Sequence, residues 1–104
     1  MELTVQNLDS GHRCVQLSGR LDLKGTQEVD AQFTEETGAK KESVLVDLSN
    51  VTYIASIGIR MFLSNIKHLR AVNANMVVLK PQKMVEEVLK LAGVDAIIPI
   101  EHDQ

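Results

Sequence analysis

The chain has 104 residues, no Trp and a formal net charge of -3, room for one compact domain, expected to span residues 1–104, that buries roughly 60–65% of its unfolded surface. An acidic balance with few aromatic side chains excludes nucleic acid as the main partner, and Cys14 as the sole cysteine excludes an internal disulfide or a cysteine metal cluster. The first residues, MELTVQNLDSGHR, carry neither a basic n-region nor an apolar h-region, and no run approaches the ~20 apolar residues of a membrane span. A cytoplasmic protein with no membrane insertion is therefore expected.

Leu3, Val5 and Leu8 roughly alternate with polar residues, and Cys14, Val15 and Leu17 do so after the turn-forming Asp9-Ser10-Gly11, which predicts a hairpin. GRLDLKG, Gly19 to Gly25, breaks the pattern, and a polar helix with Val29 and Phe33 as its apolar stripe is predicted from about Thr26 to Thr37, with Gly38 in the C′ position. Ser43 to Leu48 is short and β-branched and is bounded by Lys40-Lys41 and Ser49-Asn50, as expected of a strand buried on both faces at the sheet centre.

The next helix is predicted from Ser56 to just before Asn73-Ala74-Asn75, where Asn adopts the left-handed turn conformation readily. Met76 to Leu79 reads as a second buried strand. Pro81 suits the first turn of a third helix with Met84, Val85, Val88, Leu89 and Ala92 on its apolar side and Gly93 at its C′ position, and Ala96 to Ile100 reads as an edge strand. Strands alternating with helices imply a mixed α/β sheet with parallel crossovers.

On a projection of the helix after Ser56 at about 100° per residue, Ile59, Phe62, Leu63, Ile66 and Leu69 share one arc, the expected core stripe. Ile57, Arg60, Met61, Ser64 and His68 fall opposite, so Ile57 and Met61 are expected to meet solvent and to offer a docking face; scattered exposed apolar residues are also normal on soluble domains. Between Asp47 and Glu86 there is no acidic residue, whereas Arg60, Lys67, Arg70, Lys80 and Lys83 all fall there. Such cations suit a solvated face and a helix C-terminus, or a surface for an anion or partner.

Ser56 itself has two readings. Ser is a preferred N-cap, worth about 1 kcal/mol. A phosphate at the same place would meet free N–H groups and the positive end of the helix dipole. Its about -1.5 to -2 charges would repel a partner docked on Ile57 and Met61 without unfolding the chain, and Arg60 would pair with it across one turn.

Catalytic patterns are missing. Neither GxGxxG nor GxxxxGK[ST] occurs, and Ser56 in A-S-I-G lacks the upstream Gly of a nucleophile elbow. His12, His68 and His102 are far apart, and Cys14 is expected to be a buried structural thiol. Asp22 and Asp47 would make a carboxylate pair if they met, although turn capping is the commoner role of such residues. No cofactor, metal site or enzymatic activity is expected.

The order and spacing of several segments resemble the STAS domain (sulfate transporter and anti-sigma-factor antagonist), specifically its small free-standing anti-sigma-factor antagonists. These segments are Gly19-Arg20-Leu21-Asp22, the strand VLVDLSNV, Tyr53, Ser56-Ile57-Gly58-Ile59 and the Leu89 to Val94 stretch. The resemblance implies a STAS-type α/β fold: a mixed four- to five-stranded sheet with an N-terminal hairpin and helices packed mainly on one face. It implies phosphorylation at Ser56, and together with the projected docking face the expected partner surface is Asp22, Ile57, Gly58, Arg60, Met61 and Ser64. It also implies a partner-switching regulator, monomeric when free, that binds an anti-sigma-factor-type serine kinase of the GHKL ATPase fold when unphosphorylated. Phosphorylation releases it and a PP2C-like phosphatase resets it.

Two positions depart from the family pattern: Ala55 stands where an Asp is usual, and Ile57 replaces a second Ser or Thr. They keep open an alternative, an unswitched STAS subunit or ligand-binding module of a transporter or lipid-export complex. A hydrolase using Ser56 would need an activating His or Asp that the sequence does not place.

Overall fold

The computed structural model describes residues 1–102. Strands β1 (Glu2–Asn7) and β2 (Arg13–Leu21) form the N-terminal hairpin, antiparallel with Glu2 opposite Ser18 and Asn7 opposite Arg13. The chain then alternates: α1 (Leu23–Glu36), β3 (Val44–Ile54), α2 (Ser56–Arg70), β4 (Met76–Leu79), α3 (Lys83–Leu91) and β5 (Ile100–Glu101). The sheet order is β1-β2-β3-β4-β5, with every pair after the hairpin parallel.

That order dictates the layering. Each new parallel strand is added on the same side of the last through a helical crossover, and such crossovers are right-handed in nearly all proteins. Three of them in one direction place α1, α2 and α3 on one face. There Val15, Leu17, Val46, Leu48 and Val78 from the strands form one cluster with Phe33, Phe62, Leu69, Val85 and Leu89 from the helices. The Phe33 and Phe62 rings meet edge to face, centroids 5.2 Å apart at 85°, the favoured geometry for an aromatic pair. Cys14 points to the other face and is 4% exposed, and burial pushes its thiol pKa up, as an inert structural cysteine requires.

Several boundaries differ from the sequence expectations. Helix α1 starts at Leu23 because Asp22 caps it, its carboxylate accepting the Gly25 N–H at 2.8 Å. At the other end Thr37 is the C-cap, and Gly38, which is not left-handed, begins a 3-10 turn. Strand β3 continues through Ser49-Asn50 to Ile54, so it delivers the chain directly to α2. Pro81 lies outside α3, whose N-cap is Gln82. Met84 is 65% exposed and Ala92 is exposed, leaving Val85 and Leu89 as the buried residues of that helix. The edge strand is shorter and later than expected, because Val94–Ala96 forms a 3-10 turn. Asn73 and Gly93 do take the left-handed conformation at the ends of α2 and α3.

The largest correction concerns α2. Its buried residues are Gly58, Met61, Phe62, Asn65, Ile66 and Leu69, with Met61 4% exposed. Relative to the arc that apolar type alone selects, the buried face is turned toward α1 by roughly 60° at about 100° per residue. Met61, expected to meet solvent, is part of the core. Ile59 and Leu63, expected inside, are half-buried.

Candidate functional site at the mouth of the second helix

Two helices begin side by side at the C-terminal ends of two neighbouring strands. Leu21 at the end of β2 pairs with Ile54 at the end of β3. Asp22 then opens α1, and Ala55 alone separates β3 from Ser56. The Ala55 N–H donates to the Leu21 carbonyl at 2.9 Å, and the Ala55 carbonyl accepts the Ile59 N–H at 3.1 Å. With extended backbone angles, Ala55 is the N-cap of α2, and no side-chain hydrogen bond caps that end.

Ser56 is therefore the first helical residue and not the cap its residue type suggested. It is exposed. Gly58 is buried beneath it, where an added Cβ would come within 3.1 Å of both Leu21 Cβ and Ile54 Cγ1 and 3.3 Å of the Leu21 carbonyl. This glycine lets α2 sit close against the strand ends, and it presents no side chain to a partner.

The remaining partner candidates separate. Ile57, Arg60, Met61 and Ser64 line one small groove between α1 and α2 with Thr26 and Asp30. Arg60 and Ser64 are exposed and Ile57 is half-buried, whereas Met61 forms its floor. Asp22 sits at the adjacent helix mouth, its side chain 40% exposed. The Gly25 N–H, and then Arg20, hold its carboxyl below the usual carboxylate range. Asp22 and Asp47 do not pair: Asp47 lies within β3 opposite Gln16 and accepts the Ser49 N–H at 2.8 Å.

Sequence reasoning missed Arg20 as part of this rim. It pairs in register with Tyr53, its guanidinium 4.4 Å from the ring centroid and 3.4 Å from Asp22. Two residues before Asp22 and three before Ser56, a cation and an aromatic thus stack at the same strand ends. Only the parallel register brings them together. Among the described residues no three His, Cys, Asp or Glu side chains gather to hold a metal, and no helix is long and apolar enough to cross a membrane.

A helix-on-one-face α/β sheet with an exposed serine opening the helix after its central strand defines a class of small α/β domains. The chain belongs to the STAS domain family, which matches residues 5–103. It is similar to a Bordetella bronchiseptica protein named as an anti-sigma factor antagonist, BtrV, with 27% identity over 100% of this chain and 89% of that one. Among solved structures it shares its fold with an anti-sigma-factor antagonist domain protein from Planctomyces limnophilus (TM-score 0.84, 16% identity, 98% of this chain and 91% of that one). It also shares it with the phosphorylated form of the Bacillus cell fate determinant SpoIIAA (TM-score 0.71, 14% identity, 98% and 93%).

Proposed function

We propose that this protein is an anti-sigma-factor-antagonist-like partner switch whose phosphoacceptor is Ser56. In the unphosphorylated form it binds a serine kinase of the GHKL ATPase type. Phosphorylation releases it, and a PP2C-like phosphatase restores binding. The observation that carries this reading is the exposed Ser56 at the first position of α2, behind an N-cap with no side-chain hydrogen bond. A phosphate there is favoured by the helix dipole, and its added charge alters the surface around Ile57, Arg60 and Ser64 without disturbing the core. The switch acts on binding, not on shape.

The test is labelling by the partner kinase with radioactive ATP. Wild type takes up label and Ser56→Ala does not; Ser56→Ala keeps the kinase in a pull-down and Ser56→Asp loses it. Equal labelling of Ser56→Ala would sink the proposal.

One observation favours the alternative of a ligand-binding module. On the helix-free side of the sheet, Leu8, Leu45, Val77 and Leu79 line an open cleft of about 630 Å³, within the size range of small-molecule sites. Partner binding that is indifferent to Ser56→Asp but blocked by filling this cleft, as with Val77→Trp, would favour that reading.

A further inference from the structure

We infer that the outward face of α2 is a docking strip for an acidic, amphipathic helix carried by a protein partner. The inference deepens the reading above by naming the partner's chemistry, and it depends on that reading only for the role of Ser56. With the buried face of α2 established, the exposed Ser56, Arg60, Lys67 and Arg70 and the half-buried Leu63 form one strip along the helix. Spaced 4, 3, 4 and 3 apart, they fall within about 80° of arc and run roughly 20 Å along the helix.

The strip is cationic and unneutralised. Helix α2 carries three fixed cations and no acidic residue, in a chain of net charge -3. Among the described residues no carboxylate lies within ion-pair distance of Arg60, Lys67 or Arg70. Favourable interaction with the helix dipole accounts for Lys67 and Arg70 in the last turn, but not for Arg60, which sits toward the positive end. Asp30 shares a groove with Arg60 without reaching it.

The strip also has an apolar seat. Leu63 and Ile66 of α2 and Ile97 from the turn after α3 line a groove of about 390 Å³, with Lys67 and Arg70 on its edge. Ile97 is 42% exposed. An apolar floor bordered by cations fits a helix whose apolar side chain enters the groove while its carboxylates lie against the rim. A lipid surface fits less well, because Leu63 and Ile66 are recessed and three cations give only weak attraction to anionic lipid. A phosphate on Ser56 would put negative charge at one end of the strip, against the acidic helix it receives.

The test uses three fluorescein-labelled amphipathic peptides with one leucine pattern and Glu, Gln or Lys at the flanking positions, titrated with the full chain and read by anisotropy. The Glu peptide is expected to bind roughly tenfold more tightly than the Gln peptide at low salt, and the difference should shrink as salt rises. Lys67→Glu with Arg70→Glu should reverse the preference toward the Lys peptide, a gain that misfolding cannot produce. Backbone amide shifts should centre on Leu63, Ile66 and Ile97.

Equal binding of the Glu and Gln peptides, a double variant with unchanged preference, or binding confined to phosphatidylglycerol vesicles would each overturn the inference. If the Glu peptide binds wild type and Ser56→Asp alike, the docking strip stands and the phosphorylation switch falls. Loss confined to Ser56→Asp supports both.

Discussion

The hydrogen bond from the Ala55 N–H to the Leu21 carbonyl, 2.9 Å long, fixes where α2 begins. It holds Ala55 extended as the N-cap, a position where a methyl group satisfies none of the first-turn N–H groups. Ala55→Asp should therefore raise stability by about 1 kcal/mol, read as a higher urea midpoint with an unchanged slope. Ser56→Ala should stay within about 0.5 kcal/mol of wild type, and Ser56→Asp should match or slightly exceed wild type because the dipole favours an anion there. A loss of a full kcal/mol in Ser56→Ala would mean that its hydroxyl caps the helix after all.

Met61 and Ile57 should separate folding from binding. Met61 is 4% exposed and belongs to the core, so Met61→Ala should cost about 2–5 kcal/mol, and any binding defect should track the unfolded fraction. Ile57 is half-buried beside Arg60. Ile57→Ala should cost about 1 kcal/mol and weaken partner binding in a fully folded protein. Thermal melts paired with pull-downs distinguish the two.

Asp22 gives stability a defined pH dependence. Its carboxyl pKa is lowered, first by the Gly25 N–H and then by Arg20. The native state therefore binds this proton less readily than the unfolded chain, so the stabilisation is present above the ordinary carboxylate range and is lost as pH falls through the lowered value. Asp22→Asn keeps an acceptor for the cap but removes the titration. Its melting temperature should fall less than that of wild type between neutral pH and about pH 3. The same variant tests binding, because a partner that reads the charge of Asp22 will release it while the fold remains.

The legible parts of the sequence were those where residue type and burial agree. β-branched runs announced β3 and β4, and the 3.6-residue period announced α3. The rest failed where a contact distant in sequence overrides type. Asn65 is 1% exposed because its amide donates to the Met61 carbonyl at 2.8 Å and to Thr34 on α1 at 3.3 Å, and no helical projection places an Asn inside. Leu63 is only half-buried for the same reason, since α2 is shared between the sheet and α1. Gly19 and Gly25 made GRLDLKG look like a break in the strand pattern, although β2 runs on to Leu21 with shifted register and Asp22 caps a helix at once. Ser56 was visible from the strand-to-helix pattern and the family motif. Arg20 beside Tyr53 was not, because only strand pairing makes them neighbours.

The close approach of α2 to the 3-10 turn after α1 can be tested at Gly38. A Cβ added there would lie 2.6 Å from the Asn65 Oδ1 and 3.4 Å from the Asn65 Cα. The amide cannot swing aside without giving up its bond to the Met61 carbonyl. Gly38→Ala should therefore cost about 1–3 kcal/mol through overpacking. In an Asn65→Ala background the clash is gone and the added methyl should cost much less, leaving a coupling energy of about 1 kcal/mol or more in a double-mutant cycle. Additive effects would place the strain of Gly38→Ala in its own backbone and not in the packing of its turn against Asn65.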